Sequence, residues 1–183
     1  MPKAPTVIAL ARDLLLFRAR PQDLPFSPAL LFTLIALCIG FDVLLLLARE
    51  KNASVLSAVL ASHALRVLLF AMFFAWRGIL PRLIKSLTAL WLSDLAFRVL
   101  LLPLVLIMAG ASDGVAPAAP SALVELAVLA VLAMGIWQLM VQGHILRHAL
   151  EVSLALGALA ALLIGLIPGI VFLVPLAAHS GPS

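Results

Sequence analysis

Two formal charges lie four residues apart inside a run of sequence that is otherwise apolar. The stretch SDLAFRVLLLP, Ser93 to Pro103, contains Asp94 and Arg98. A charged side chain inside a lipid-spanning helix is costly, so each is a candidate functional group or a candidate contact between helices. The acidic residue precedes the basic one, which is the favourable order for a pair on one helix face. The spacing therefore predicts that Asp94 and Arg98 neutralise each other.

Asp42, His63 and Arg66 lie in two other apolar runs. Arg66 has no acidic residue three or four positions away on its own helix. Its partner must therefore come from another helix, and Asp42 and Asp94 are the candidates. The charged cluster is defined here as five intramembrane residues: Asp42, His63, Arg66, Asp94 and Arg98.

Two interpretations of the charged cluster follow from its chemistry. One is a proton or ion path, in which His63 titrates near neutral pH. The other is a neutral network that fixes helix packing and register. Proton-coupled transport usually requires a carboxylate that is free to change its protonation, whereas an arginine partner stabilises the ionised carboxylate. Because each deep carboxylate has an arginine available, the structural interpretation is favoured.

A second polar set consists of His144, Arg147 and His148, in the stretch GHILRHALE. Two histidines at this spacing can bind a metal on one helix face. With only two histidine ligands and a neighbouring arginine, an interfacial polar patch is the favoured interpretation. The sequence contains no HExxH, GxSxG, Walker-loop or DxxD pattern, and its single cysteine is Cys38 in an apolar run. It therefore predicts no catalytic residue, no metal site and no cofactor.

The composition assigns the chain to membrane proteins. Of 183 residues, 65% are hydrophobic and only 11% are charged, and the mean hydropathy is +1.25. So few charges could not cover so much apolar surface in water, so lipid must be the main solvent. The net charge is +4 and the isoelectric point about 10.2. The basic residues lie between apolar runs rather than on one soluble element, which argues against nucleic acid as a partner.

The apolar pattern predicts an all-α polytopic bundle with five transmembrane helices. Residues 1–27 form a cytoplasmic juxtamembrane segment, residues 28–177 the transmembrane domain, and residues 178–183 a short non-cytoplasmic tail. Pro103 is expected to kink the third span, and Pro168 to break the fifth. The spans are predicted at about 28–48, 55–76, 87–110, 121–143 and 152–177.

The first 27 residues predict a short interfacial helix. Arg12 and Asp13 interrupt the first apolar stretch, which argues against a cleaved signal peptide. The helix could lie on an anionic inner leaflet, or it could be a juxtamembrane helix without a lipid role. Ser27 and Pro28 are the expected N-cap and first residue of the first span. The apolar stripe of the short helix consists of Val7, Ile8, Leu10, Leu14 and Leu15.

The distribution of basic residues predicts the orientation, because cytoplasmic loops carry an excess of Lys and Arg. On one side of the membrane the predicted loops carry two basic residues, Arg49 and Lys51, whereas the other side carries eight. The eight-to-two bias predicts a multi-pass protein of the bacterial inner membrane, with a cytoplasmic N-terminus and a periplasmic C-terminus. The N-terminal segment and the second and fourth loops carry eight: Lys3, Arg12, Arg18, Arg20, Arg77, Arg82, Lys85 and Arg147.

Three stretches resemble a known family. WQLMVQGHILRHALEVSLALGALAALL, Trp137 to Leu163, resembles the last part of five-span bacterial proteins of the Ypt-interacting protein (Yip) family type. RLIKSLTALWLSDLAFRVLLLPL and RARPQDLPFS resemble segments of small uncharacterised proteobacterial membrane proteins of that group. The resemblance implies a non-enzymatic, multi-span protein of membrane organisation. It transfers no functional residue and no binding of Rab-type GTPases.

Together these observations predict a non-enzymatic scaffold, assembly or membrane-organising protein that acts through contacts between helices. Its partners would be the lipid bilayer and a membrane protein or a second copy of the chain. We expect a protein partner to bind through small-residue faces such as SLALGALAALLIG. The alternative is a small transporter or channel that uses the charged cluster.

Overall fold

The structure is a computed structural model that describes residues 6–49, 54–112 and 121–179. These residues form an all-α fold with two short 3₁₀ turns, Pro21–Asp23 and Leu80–Arg82. A short N-terminal helix precedes five long ones, as the sequence predicts. The helices are α1 (Val7–Leu15), α2 (Pro28–Arg49), α3 (Ser54–Trp76), α4 (Leu83–Ser112), α5 (Ser121–Leu150) and α6 (Leu154–His179).

Within the described residues, four helices are long and apolar enough to cross a membrane, which indicates a membrane helix bundle. α6 contributes a shorter apolar helix, Leu154–Pro168. The prediction of five spans is thus met in part. The four spans comprise Pro28–Leu45, Leu56–Trp76, Leu80–Met108 and Ala122–Leu150.

The start of α2 follows from two residues. Pro28 is its first residue, and the Ser27 Oγ accepts a hydrogen bond of 3.2 Å from the backbone N–H of Leu30. A proline at this position lacks only an N–H that would have no helical partner, and the serine satisfies another one. The predicted cap is therefore confirmed.

α5 ends later than predicted. The stretch GHILRHAL, predicted as a loop, forms its last two turns up to Leu150. Arg77 and Arg82 donate hydrogen bonds to the carbonyl oxygens of Leu150 and Ala149, at 3.3 and 3.5 Å. Cations at a helix C-terminus satisfy its free carbonyls and favour its dipole. These contacts come from another loop, so the local sequence does not predict them.

Prolines do not end the helices that contain them. α4 continues through Pro103, and α6 continues through Pro168 to His179. The prediction of a break near Pro168 is wrong. Transmembrane helices tolerate proline because neighbouring helices and local adjustments satisfy the backbone groups that it frees.

The five long helices are arranged in a ring around a central region. α2 packs against α3 and α4, α4 against α5, α5 against α6, and α6 against α3, which closes the ring. α3 also contacts α4. Residues that are far apart in the sequence are thereby brought to one central region, where the charged cluster lies.

α1 closes one end of the ring by packing against α4 and α5. Leu10 and Leu14 are 7% and 0% exposed, and the indole N–H of Trp137 donates to the Leu15 carbonyl at 3.1 Å. Two residues of the predicted apolar stripe therefore face the bundle, whereas Ile8 is 82% exposed. We call this end of the bundle the α1 end.

The closest helix contact joins α5 and α6 at two glycines. A Cβ at Gly143 would lie 2.9 Å from the backbone of Ala158. A Cβ at Gly157 would overlap the carbonyl oxygen of Gly143 and lie 2.9 Å from the Arg147 nitrogen. Small residues let helix backbones approach this closely in lipid. Part of the small-residue face proposed for partners is thus used inside the chain.

This contact predicts that Gly157→Ala destabilises the bundle by about 1–3 kcal/mol, because the added methyl group must push two backbones apart. Cys38 provides the measurement, since it is the single cysteine and is fully buried. A thiol-reactive fluorophore in a thermal ramp reports when unfolding exposes it. Gly165→Ala on the same helix is the control, because a Cβ there meets nothing within 4 Å. Equal melting temperatures for the two variants would contradict the prediction.

Candidate functional site

Asp94 on α4 is the most buried member of the charged cluster. Its side chain is 3% exposed and forms an ion pair with Arg66 on α3. The amide nitrogens of Gln138 and Gln142 on α5 donate to its other oxygen, at 3.1 and 2.7 Å. Three donors from two neighbouring helices thus satisfy one carboxylate. A buried charge is tolerated when it is paired and hydrogen-bonded in this way.

Arg66 also packs on an aromatic ring. Its Cζ lies 5.0 Å from the ring centroid of Trp91, which is fully buried. A guanidinium over an indole face is attracted by the negative charge of the π system, and the attraction grows when water is excluded. Trp91 and Asp94 are neighbours on α4, so one helix supplies both groups that hold Arg66.

Asp42 on α2 is the second anionic centre. It forms an ion pair with Arg98 on α4, and its Oδ2 lies 2.9 Å from the Nε2 of His63 on α3. A carboxylate accepts only, so Nε2 carries the proton that is shared with Asp42. The Asp42 and Arg98 side chains are 24% and 23% exposed. This centre is therefore more open than the one at Asp94.

The prediction that Asp94 and Arg98 neutralise each other is wrong. Within the described residues, Asp94 pairs with Arg66 and Arg98 pairs with Asp42. The charge balance is the same in both arrangements, but pairs between helices also hold the helices together. The partner of Arg66 is one of its two candidates. Sequence spacing shows which residues share a helix face, whereas the partner depends on how the helices are arranged.

The charged cluster lies on three helices and, together with Gln138 and Gln142, forms a network that joins four. Asp42 lies on α2, His63 and Arg66 on α3, and Asp94 and Arg98 on α4, and the glutamines add α5. Both carboxylates pair with guanidiniums, and His63 shares Asp42 with Arg98. A shift of α2, α3, α4 or α5 by one turn would separate at least one pair. The network therefore fixes the register of the bundle.

An apolar layer lies next to the cluster on its α1 side. Phe70, Trp91 and Ile145 are at most 1% exposed. They lie about one helical turn closer to the α1 end than Arg66, Asp94 and Gln142. The Phe70 and Trp91 rings are 6.3 Å apart, edge to face. These buried side chains pack between the cluster and the α1 end.

On its other side the cluster borders a cavity of about 720 Å³. All five long helices contribute to the wall. The polar wall consists of Asp42, Ser62, His63, Arg66, Arg98, Gln138 and Gln142. The apolar wall consists of Leu45, Val105, Gly135, Leu139, Ala161, Leu162, Gly165, Leu166 and Pro168.

The second polar set lies at the α1 end of α5. The rings of His144 and His148 are 4.6 Å apart, edge to face, and Phe17 packs on His144 at 5.4 Å. Arg147, the third member of the set, is exposed. Among the described residues, no group of three or more His, Cys, Asp or Glu could hold a metal ion.

Three residues of the network were not assigned to it from the sequence. Gln138 and Gln142 are one turn apart on α5, and this spacing in an apolar helix is the signal that could have found them. Trp91 gives no such signal, because a tryptophan in an apolar helix usually packs or anchors the helix. Only the position of α3 beside α4 identifies Trp91 as a contact of Arg66.

A comparison with protein families, curated proteins and solved structures finds no match for the chain.

The contacts of Asp94 predict a strong coupling between two helices. Asp94→Asn leaves the Arg66 guanidinium buried without a counter-charge, and we expect it to destabilise the bundle by about 3–5 kcal/mol. In the double variant with Arg66→Met, the loss should be smaller than the sum of the single losses by about 1–3 kcal/mol. Thermal unfolding followed by labelling of Cys38 measures all three variants. Additive losses would show that the two side chains do not interact.

Asp42→Asn is the matched comparison within the same cluster. It removes the same charge, but the Asp42 and Arg98 side chains face a cavity and are about a quarter exposed. Water that reaches the unpaired guanidinium lowers the penalty. We expect Asp42→Asn to lower the melting temperature less than Asp94→Asn does. The reverse order would contradict the assignment of Asp94 as the structural centre.

Proposed function

We propose that the protein is a non-enzymatic membrane scaffold or assembly protein, in which the charged cluster holds the helices in register. The observation that carries this proposal is the pairing of Asp94 with three donors from two helices. Three donors already occupy this carboxylate, which leaves little of it free to bind a transported ion. The carboxylate is well suited to fix one arrangement of helices, which a binding partner can then recognise.

The proposed topology has five spans, with the N-terminus in the cytoplasm of a bacterium and the C-terminus in the periplasm. α6 has 26 residues, a length of about 39 Å, which is enough to cross a bilayer core. The α1 end carries basic residues that make local contacts: Lys85 donates to the Gln22 carbonyl at 2.9 Å, and Arg82 pairs with Glu151. An excess of basic residues at one end supports its cytoplasmic location in the inner membrane.

The relation to Yip-type proteins is part of the same proposal. It rests on the number of spans and on the short stretches quoted above, and it implies a role in membrane organisation. Partners would meet the lipid-facing surface, because part of the α6 small-residue face already packs against α5. Large apolar side chains on that surface include Leu129, Leu132 and Ile136 of α5 and Leu159 and Leu163 of α6.

The proposal predicts a stable complex after purification of the tagged protein from native membranes in a mild detergent. Co-expression of two differently tagged copies separates self-association from binding of another protein. An unrelated five-span protein with the same tag, at equal expression, is the control for nonspecific capture. A monodisperse monomer without a co-purified chain would count against a scaffold.

A second candidate function is a small transporter or channel. The observation that favours it is the cavity beside Asp42 and His63, a carboxylate and an imidazole that share a proton. Proteoliposomes that contain a pH-sensitive dye test this candidate. Transport that is lost in Asp42→Asn at normal protein yield would favour the transporter over the scaffold. For the scaffold we expect no flux above that of empty liposomes.

A further inference from the structure

The central cavity has the size of a ligand pocket. Its volume of about 720 Å³ falls within the range of roughly 300–1,000 Å³ that small-molecule sites occupy. It lies among five helices of a membrane bundle, and the packed layer of Phe70, Trp91 and Ile145 lies on its α1 side. We call the side of the cavity away from α1 its mouth.

The wall of the cavity changes from polar to apolar along the bundle axis. The charged groups of the wall belong to the charged cluster, which lies next to the packed layer. Leu45, Val105 and Leu166 lie about one or more turns farther from the α1 end than Asp42, Arg98 and Leu162, respectively. A ligand that matches this wall has a polar head at the inner level and an apolar chain toward the mouth.

The polar wall has unused hydrogen-bonding capacity. Asp42 and Arg98 are 24% and 23% exposed. A guanidinium has five N–H donors and a carboxylate accepts about four hydrogen bonds, so their mutual pairing leaves both with free positions. Beside them, His63 Nδ1 and Arg66 Nε are buried and have no hydrogen-bond partner among the described residues. Buried polar atoms without a partner are rare in native proteins.

The chemistry of these atoms selects the head group. Because His63 Nε2 donates to Asp42, Nδ1 of the neutral ring is an acceptor, whereas Arg66 Nε–H is a donor. His63 and Arg66 lie three positions apart on α3, so they share one helix face. On the cavity wall, the partly exposed Asp42 carboxylate accepts and the partly exposed Arg98 guanidinium donates. A group that both donates an O–H and accepts at oxygen matches this exposed pair. With His63 neutral, the two arginines and two aspartates balance, so the site does not favour a permanently charged head.

We propose that the cavity binds a single-chain amphiphile whose head carries an O–H group, as in long-chain alcohols and protonated long-chain carboxylic acids. The head contacts the Asp42, His63, Arg66 and Arg98 level, and the chain lies along the leucines of α2 and α6. This ligand site goes beyond the scaffold function and does not depend on it. Both sources of the O–H group occur among the lipids and lipid precursors of a membrane.

The test uses the full-length protein in detergent and three ligands with the same chain: dodecanoic acid, dodecanol and methyl dodecanoate. The ester keeps the chain and the acceptor oxygen but has no O–H. Bromine-labelled forms of each quench nearby tryptophan fluorescence. The chain has three tryptophans, so the measurement uses a Trp76→Phe background, in which Trp91 beside Arg66 and Trp137 next to Gln138 are the reporters. We expect the acid, the alcohol or both to bind at least about tenfold more tightly than the ester, as expected for the loss of one buried hydrogen bond. The relative affinities of acid and alcohol identify the natural head group.

Two glycine variants separate specific binding from partition into detergent. Gly135 lines the cavity, and a Cβ there meets nothing within 4 Å. We therefore expect Gly135→Leu to fold normally and to place its side chain in the cavity. The ligand affinity measured by quenching should fall at least about tenfold in this variant. Gly40→Leu is the control, because a Cβ at Gly40 is equally free and Gly40 does not line the cavity.

The melting temperature from Cys38 labelling verifies that both variants are folded. Ester binding equal to that of acid and alcohol, or wild-type binding by Gly135→Leu, would overturn the proposal. So would the absence of binding by all three ligands. The scaffold proposal is tested by co-purification and would be unaffected by any of these results.

Discussion

An ionised arginine inside a membrane bundle requires a counter-charge, because the surrounding lipid cannot solvate it. Arg66 meets this requirement through Asp94, and Arg98 meets it through Asp42. Each pair joins two different helices. The need to neutralise two arginines therefore restricts how α2, α3 and α4 can be placed, and the glutamines of α5 extend the restriction to a fourth helix.

The two anionic centres differ in their surroundings, and this difference divides the bundle. Asp94 lies against the packed layer that includes Trp91, and its side chain is 3% exposed. Asp42 lies on the wall of the cavity, with part of its side chain exposed. The first centre stabilises the arrangement of helices. The second presents polar groups to a space with apolar walls, which is a chemical requirement for recognising an amphiphile.

Much of the fold could be predicted from the sequence, because it depends on local chemistry. Apolar runs of sufficient length predicted the helices, and Ser27 with Pro28 predicted the start of α2. The later end of α5 could not be predicted, since arginines from another loop hold its carbonyls. Pro168 was misleading for a related reason, because the backbone groups that a proline frees are satisfied by its surroundings.

The members of the charged cluster could be predicted, but not their pairing. Polar residues are expensive in lipid, so Asp42, Arg66 and Asp94 stand out in the sequence. Their partners depend on which helices are neighbours, and helical spacing favoured the pair on one helix. Trp91 had no distinguishing pattern at all. The sequence thus identified the charges that need partners, while the packing of the ring decided which partners they have.

The most direct test compares two exchanges of charge in the membrane-inserted protein. One variant combines Arg66→Asp with Asp94→Arg, and the other combines Asp94→Arg with Arg98→Asp. Both keep the total charge, but only the first keeps opposite charges facing each other between α3 and α4. Labelling of Cys38 during a thermal ramp should give a cooperative transition close to that of the wild type for the first variant and a large loss of stability for the second. A stable second variant together with an unfolded first one would contradict pairing between the helices.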